Sequence, residues 1–413
     1  VKTVLVNCES HSTAFQLIPL ILALQETGRY QVVTYSSLTW VGGDETKVRS
    51  LVELFQEHGI ELKTNHHFGL EELEDQILRA QDDYEQRARV AIAASPQAKA
   101  IAYRGVPVMD LALESMVSWN RDKVRFFAWF ERVLEQVRPG LLVNAYDLGS
   151  IKKYFVVAAR TRGIPTLTIQ YAAIPTERVA RVASEYCCIW GEHWRELMIR
   201  RGTEPDKVFL TGCPALDPYF RPGYDPTPTY RKLGLDPDRR TVLMGAARID
   251  LSHHLEAALE VVSRRDDTQL VLKLHPDTQP QEVRRYQDII QASAAPALLV
   301  QRQPVRPQEL LALAQVFASY PISTYVLEAL AFGLKILLLR DAEGEYHLDF
   351  EEDRFSTSIW SAEDMARELA AALEAGGEAA EPAAAQEYRR RFWYRLDGRA
   401  TQRMLEVIDA ICA

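Results

Sequence analysis

The 413-residue chain is poor in cysteine, has no apolar run of membrane-spanning length and carries no surplus of basic residues. Its five thiols, Cys8, Cys187, Cys188, Cys213 and Cys412, are too sparse for a disulfide framework. None stands in a C-x-x-C or Cys/His spacing of the kind that binds zinc, so reduced, inert thiols are expected. No stretch reaches the roughly 20 apolar residues that a helical span needs. Acidic residues outnumber basic ones 57 to 48, and the formal charge of −9 argues against a nucleic-acid partner. The first residues run straight into a strand pattern with no signal-peptide layout, so the expected location is the cytoplasm, with peripheral contact at the inner membrane face. Hydrophobic residues at 47% and charged residues at 25% are ordinary for a globular chain and exclude disordered and fibrous classes. The length suits two domains better than one core.

Strand and helix patterns alternate along most of the chain. Thr3 to Asn7, Tyr30 to Tyr35 and Ile60 to Lys63 read as strands, with helices at 14–27 and 51–58 closed by Gly28 and Gly59. From about 70 to 137 the pattern turns helical without strands. Within it, Trp119, Phe126 and Phe130 fall at the spacing of a buried helical stripe, and Asp122, Glu131 and Glu135 weigh against a membrane-docking face. Alternation resumes with strands at 140–145, 166–170, 185–190 and 208–211. Six prolines between Pro214 and Pro237 break regular structure and mark a linker. Strands then follow at 241–245, 269–274, 297–300, 316–318 and 335–339, and the Ala/Glu-rich stretch 362–385 reads as surface helix. The pattern predicts an α/β chain of two Rossmann-like, doubly wound domains facing a cleft. Residues 1–213 form the first, with the helical insertion at about 70–137; 214–237 link it to the second at 238–385, and 386–413 return as a final helix.

Two constellations carry phosphate chemistry. Lys273, His275 and Pro276 stand at the end of an apolar strand, the edge where open α/β sheets bind ligands. Pro276 fixes the turn, so that His275 can donate to a phosphate oxygen with help from Lys273 or Arg248. After the strand at 316–318, Ser323 and Thr324 open a helix, presenting hydroxyls together with free backbone N–H groups. Glu328, one turn further on, is either an acceptor for ribose hydroxyls or a solvated helix residue.

His275-Pro276 and Ser323-Thr324, with the Glu-Ala-Leu-x-x-Gly helix after them, resemble the donor-site motifs of bacterial GT-B enzymes of surface polysaccharides. That group includes CDP-glycerol glycerophosphotransferases, capsule Kdo transferases and bacterial sialyltransferases. Gly163-Ile164-Pro165-Thr166 through Gln170, Trp190-Gly191-Glu192, Gly212-Cys213-Pro214 through Asp217, and Asp397-Gly398-Arg399 with Arg403 resemble further stretches of the same group. The resemblance covers roughly 140–413. It implies transfer of a sugar or polyol phosphate from a nucleotide-activated donor, CMP- or CDP-linked, to a glycan or lipid-linked acceptor. It also implies a last helix that crosses back onto the first domain.

The first domain then supplies the acceptor site and a catalytic base. His11, in the loop after the first strand, and Asp147, after the strand at 140–145, form a candidate dyad, because a carboxylate fixes the imidazole tautomer and raises its basicity. Glu9 is the alternative base. No cofactor or metal is expected: Glu351-Glu352-Asp353 reads as a solvated charge run, and His66-His67 and His253-His254 as surface loops. Two other readings compete. A non-hydrolysing UDP-sugar 2-epimerase shares the layout, but its Gly-Thr-Arg-Pro-Glu loop is replaced here by Cys8-Glu9-Ser10-His11-Ser12. A nucleotide-binding partner protein without catalysis is the other.

Overall fold

The computed structural model describes residues 1–36, 45–145, 150–173, 182–245, 250–275, 278–301, 305–320, 324–340, 355–375 and 383–413. Short apolar runs, buried on both faces, form two parallel sheets. The first holds β1 (Lys2–Asn7), β2 (Tyr30–Tyr35), β3 (Leu62–Lys63), β6 (Leu141–Ala145), β7 (Thr166–Ile169), β8 (Tyr186–Ile189) and β9 (Val208–Leu210), in the order β3-β2-β1-β6-β7-β8-β9. The second holds β10 (Arg240–Gly245), β11 (Thr268–Lys273), β12 (Ala297–Val300), β13 (Ala314–Ser319), β14 (Lys335–Leu339) and β15 (Thr357–Ile359), in the order β12-β11-β10-β13-β14-β15. In each sheet the winding reverses once, between β1 and β6 and between β10 and β13. A crevice opens outside the carboxyl ends of the strands at such a reversal.

Helices cover both faces. In the first domain these are α1 (His11–Glu26), α2 (Glu45–Gln56), α3 (Glu74–Ala94), α4 (Pro96–Ala100), α5 (Met109–Val137), α6 (Ser150–Thr161) and α7 (Glu192–Arg200). Then come α8 (Asp217–Phe220), α9 (Thr227–Leu233), α10 (Ser252–Ser263), α11 (Pro280–Ala292), α12 (Pro307–Leu311), α13 (Thr324–Ala331), α14 (Ala362–Glu374), α15 (Ala383–Phe392) and α16 (Ala400–Cys412). One apolar cluster runs through both halves, joining Trp190, Trp194, Cys213 and Leu216 to Phe317, Leu327 and Trp393. All five cysteines are free and buried. Burial pushes the Cys8, Cys188 and Cys213 thiols well above their ordinary value, as inert thiols require.

Several expectations need correction. The insertion is not free of strands: β4 (Ala102–Tyr103) and β5 (Val106–Pro107) pair antiparallel. Arg104 and Gly105 between them both take positive φ, 49° and 81°, the two-residue turn that matches strand twist. The aromatic stripe is only partly core, since Phe130 is 1% exposed but Trp119 is 68% exposed. The proline-rich segment does not break regular structure. Pro214, Pro218 and Pro228 sit in the first turn of the 3-10 turn at Pro214–Leu216, of α8 and of α9, where the missing N–H is not needed, and Pro222 and Pro237 lie in turns. His66 and His67 lie in a 3-10 turn and His253 and His254 in α10, with His66 beside Glu71 and His253 3.8 Å from Glu256. The Ala/Glu-rich stretch is not merely surface: α14 buries Met365, Leu369 and Leu373. Glu351-Glu352-Asp353 lies outside the described residues.

Met404, Leu405 and Ile408 of α16 join the core of the first domain beside Leu17 and Ile21 of α1. Tyr30 donates to Asp409 at 2.6 Å and Arg29 lies 2.9 Å from the same carboxylate. The amino end of α16 has no cap of its own. Asp217 supplies one from 183 residues away, accepting the N–H groups of Ala400 at 2.8 Å and Thr401 at 2.7 Å.

Candidate functional site

A polar cluster stands at the reversal of the first sheet. Asn7 ends β1 and Asn144 lies in register beside it on β6. Both amides are buried, at 1% and 0% exposure, and Asn7 Nδ2 donates to Asn144 Oδ1 at 2.9 Å. The same nitrogen reaches Glu9 Oε1 at 3.4 Å, and Glu9 Oε2 lies 3.5 Å from Lys152 Nζ. Lys152, in the first turn of α6, also donates to the carbonyl of Ala145 at 2.9 Å and lies over the Tyr171 ring. Glu9 and Lys152 keep only 20% and 11% of their side-chain surface exposed. Asn7 Oδ1 and Asn144 Nδ2 are buried without a hydrogen-bond partner among the described residues. A carboxylate held by a cation and an amide at the crevice edge can accept a proton from a hydroxyl bound above it.

Glu9 was expected as the second-choice base; Lys152, Asn7 and Asn144 were missed. The available signal was an amide at the end of each of two otherwise apolar strands. His11 is placed differently from expectation. Ser10 is the helix N-cap, in a capping box with Thr13, so His11 opens α1 rather than lying in a loop. Its Nε2 lies 3.1 Å from Ser50 Oγ on α2. Asp147, the proposed partner, lies outside the described residues.

In the second domain, His275 is exposed at the end of β11, in a turn closed by the Thr278 N–H on its carbonyl at 3.0 Å. Lys273 does not reach outward. Its ammonium donates to the carbonyls of Leu274 at 2.7 Å and Gln301 at 3.2 Å, tying β11 to β12, and desolvation lowers its pKa. Arg248, Pro276 and Ser323 lie outside the described residues. Thr324 opens α13, and its Oγ1 accepts the N–H of Ala173 from the first domain at 3.1 Å. Glu328 is not solvated: it is 6% exposed, accepts from Gln308 Nε2 at 2.9 Å, and burial raises its pKa to about 7. The site thus holds a buried carboxyl with a raised pKa between α12 and α13, one turn inside the helix start.

Contacts across the cleft bring the two halves together at this point. Arg306, just before α12, lies 5.1 Å over the Phe15 ring of α1, and its guanidinium is 3.3 Å from His58 Nε2. On the first domain's own side, Gln16 of α1 pairs with Cys213 Sγ at 3.3 Å and accepts the Ala215 N–H at 3.3 Å, holding the start of the linking segment on α1. The motif stretches around them hold the frame. Gln170 accepts the Trp190 N–H at 3.0 Å, Trp190 stacks on Trp393 at 4.8 Å, and Arg403 clamps Asp397 while donating to the Thr211 carbonyl at 2.7 Å.

Two Rossmann-like domains across one cleft, with the last helix returned to the first, make up the GT-B fold. No protein-family model matches the chain. A curated relative is the processive diacylglycerol beta-glucosyltransferase of Bacillus subtilis (strain 168), 23% identical over 232 residues. That match spans 54% of this chain and only 57% of the relative. Among solved structures, UDP-GlcNAc 2-epimerase from Neisseria meningitidis, bound to UDP-GlcNAc, aligns with a TM-score of 0.62 at 13% identity, over 99% of this chain and 100% of that one. A glycosyltransferase from Rickettsia africae aligns with a TM-score of 0.53 at 11% identity, over 99% and 98%.

Proposed function

We propose that the chain is a transferase that moves a glycosyl group from a nucleotide-activated donor in the second domain to a hydroxyl held over the first. The observation that carries this reading is the pairing of Glu328, buried one turn inside α13, with the Glu9–Lys152–Asn7 cluster at the other reversal point. The start of α13 receives the donor phosphates, with His275 donating from the end of β11. Glu328 accepts from the ribose hydroxyls. Glu9 takes the acceptor proton, the freed oxygen attacks the anomeric carbon, and the bond to the phosphate breaks as the nucleotide leaves. Lys152 and Asn7 orient Glu9. The donor sits without a metal ion, its charge met by the helix start and His275.

The motif resemblance supports CMP or CDP as the donor nucleotide, and with it the CDP-glycerol, Kdo and sialyl branches. Uridine diphosphate has the wider support, because the neighbour solved with UDP-GlcNAc aligns along 99% of the chain. The proposal therefore takes UDP as the donor nucleotide. A glycolipid acceptor fits the diacylglycerol named in the curated relative.

The epimerase is a second reading favoured by that same neighbour. Its loop after the first strand is the point of difference, since Glu9, Ser10 and His11 stand here instead. Phosphorus NMR of the chain with UDP-sugars separates the two. The transferase reading expects release of UDP that depends on an added lipid or glycan acceptor, in the presence of a chelator. Conversion to a second UDP-sugar with no acceptor and no UDP release would establish the epimerase instead. Absence of any turnover, with nucleotide still bound, would leave the partner protein.

A further inference from the structure

The helical insertion has a shape and a surface that the catalytic reading leaves unused. α5 is 29 residues long, about 43 Å at helical rise, far more than the six-residue strands beside it. It ends where β6 begins, at the amino edge of the sheet. Phe126 and Phe127 pack on Tyr154, one turn into α6, with ring centroids 6.0 and 5.2 Å apart. Because α6 itself starts at the carboxyl edge, residues 109–122 project roughly 20 Å beyond that edge. α3 runs beside α5, tied to it by Arg121 to Asp82 at 2.6 Å and to Glu85 at 3.3 Å. The two helices, α4 and the β4–β5 hairpin therefore form an arm standing past the edge where Asn7 and Asn144 lie.

The arm concentrates exposed apolar surface. Of the eight large hydrophobic side chains exposed among the described residues, five lie between 74 and 137: Leu78, Val90, Ile101, Met116 and Trp119. Met116, Trp119 and Lys123 share one face of α5 by helical spacing, and the Lys123 ammonium lies 4.6 Å over the Trp119 ring. The far end is also basic in a chain that is acidic as a whole. From Gln86 to Met109 there is no acidic residue, while Arg87, Arg89, Lys99 and Arg104 fall within it. Arg87 leans back on Asp83 and Arg89 on Glu85 at 2.9 Å each; the first pair is exposed and contributes little, the second is half-buried. The hairpin turn sets an exposed Arg104 at the tip.

We propose that this arm docks on an anionic bilayer surface, with Trp119, Met116, Val90 and Ile101 entering the headgroup region and the basic end meeting lipid phosphates. Tryptophan beside lysine suits that interface, where one end of each side chain is apolar and the other wet. The local charge selects the lipid: the segment from Gln86 to Met109 has four basic and no acidic residues and complements an anionic surface, although the chain as a whole is acidic. Docking holds the acceptor crevice toward the membrane, and so deepens the reading of a lipid-linked acceptor on which it rests.

Flotation of the full chain with vesicles tests this without nucleotide or acceptor, so it stands or falls separately from turnover. The chain is expected to float with phosphatidylglycerol-containing vesicles, far less with phosphatidylcholine alone, and to be released by salt. Arg104→Glu combined with Arg87→Glu lowers vesicle partitioning about tenfold or more. Trp119→Ser lowers it as well, with unchanged circular dichroism because the side chain is exposed. Quenching by brominated lipid, present in the wild type and reduced in Trp119→Phe, reports the same contact in a variant that keeps the ring. A chain that stays in solution with anionic vesicles, or floats equally after the Arg and Trp substitutions, overturns the proposal. Self-association through these residues without vesicle binding overturns it too.

Discussion

Glu328 concentrates the chemistry of the donor half in one titration. Its carboxyl is raised from 4.5 to about 7, first by desolvation, with the Gln308 hydrogen bond pulling the other way. A carboxyl raised on folding weakens the fold as it ionises. The penalty is absent below about pH 4.5, grows through the window up to 7, and levels off above it on the order of 3 kcal/mol. Glu328→Gln is therefore expected to be more stable than the wild type at pH 8 by up to that amount, with the gap closing near pH 4.5, as urea unfolding at both pH values would record. Equal stability at both would mean that the group is ionised at no cost. In the acceptor half, Glu9→Gln and Lys152→Met should each lower turnover at least a hundredfold while leaving nucleotide affinity within about twofold. Matched losses in both would remove the base role from this cluster. His275→Ala should weaken donor binding by roughly 1.5–3 kcal/mol, read by titration, and a change below twofold would make it a loop residue. His275 and Thr324 were legible in the sequence because each follows an apolar strand directly. Lys152 was not, because only the reversal between β1 and β6 brings it to Glu9 from 143 positions away.

At the scale of elements, the motifs that resembled a family turn out to be joints. Asp217 and the 397–403 stretch, far apart in the chain, meet as the cap of α16. Asp217→Ala should cost about 1–2 kcal/mol in urea unfolding, since two helix N–H groups lose their acceptor. A loss under a few tenths would mean water caps the helix as well. Gly191 shows the same dependence on close approach. A Cβ there would lie 2.4 Å from the Phe392 backbone, so Gly191→Ala must push α15 away from Trp190. Strand and helix order was readable almost throughout, because period and glycine stops are local. The proline-rich segment misled because proline density says nothing of position: Pro214, Pro218 and Pro228 fall in first helical turns, while Pro222 and Pro237 lie in turns. Trp119 misled for a different reason. Its spacing matches the core face, but that part of α5 has run past the sheet and packs on α3 by its other side, through the buried Val117.

For the whole molecule, the claim is that two reversal points, one in each sheet, face each other across a cleft. Arg306 on Phe15 and His58, and Thr324 on Ala173, fasten them in that relation. The doubly wound pattern predicted the architecture, but it gave no contact across the cleft, since each pairs residues more than 150 positions apart. Calorimetric titration tests nucleotide binding at α13 by Glu328 most directly. UDP, CDP and CMP are titrated at pH 7 in two buffers of different ionisation enthalpy, without metal, into the wild type and Glu328→Gln. Ribose hydroxyls that donate to Glu328 favour its carboxylate, so binding should release up to about half a proton, with UDP tighter than CDP or CMP. The variant should lose both the proton release and at least tenfold in affinity. Binding with no proton exchange and equal affinity in the variant would contradict the assignment of the donor site.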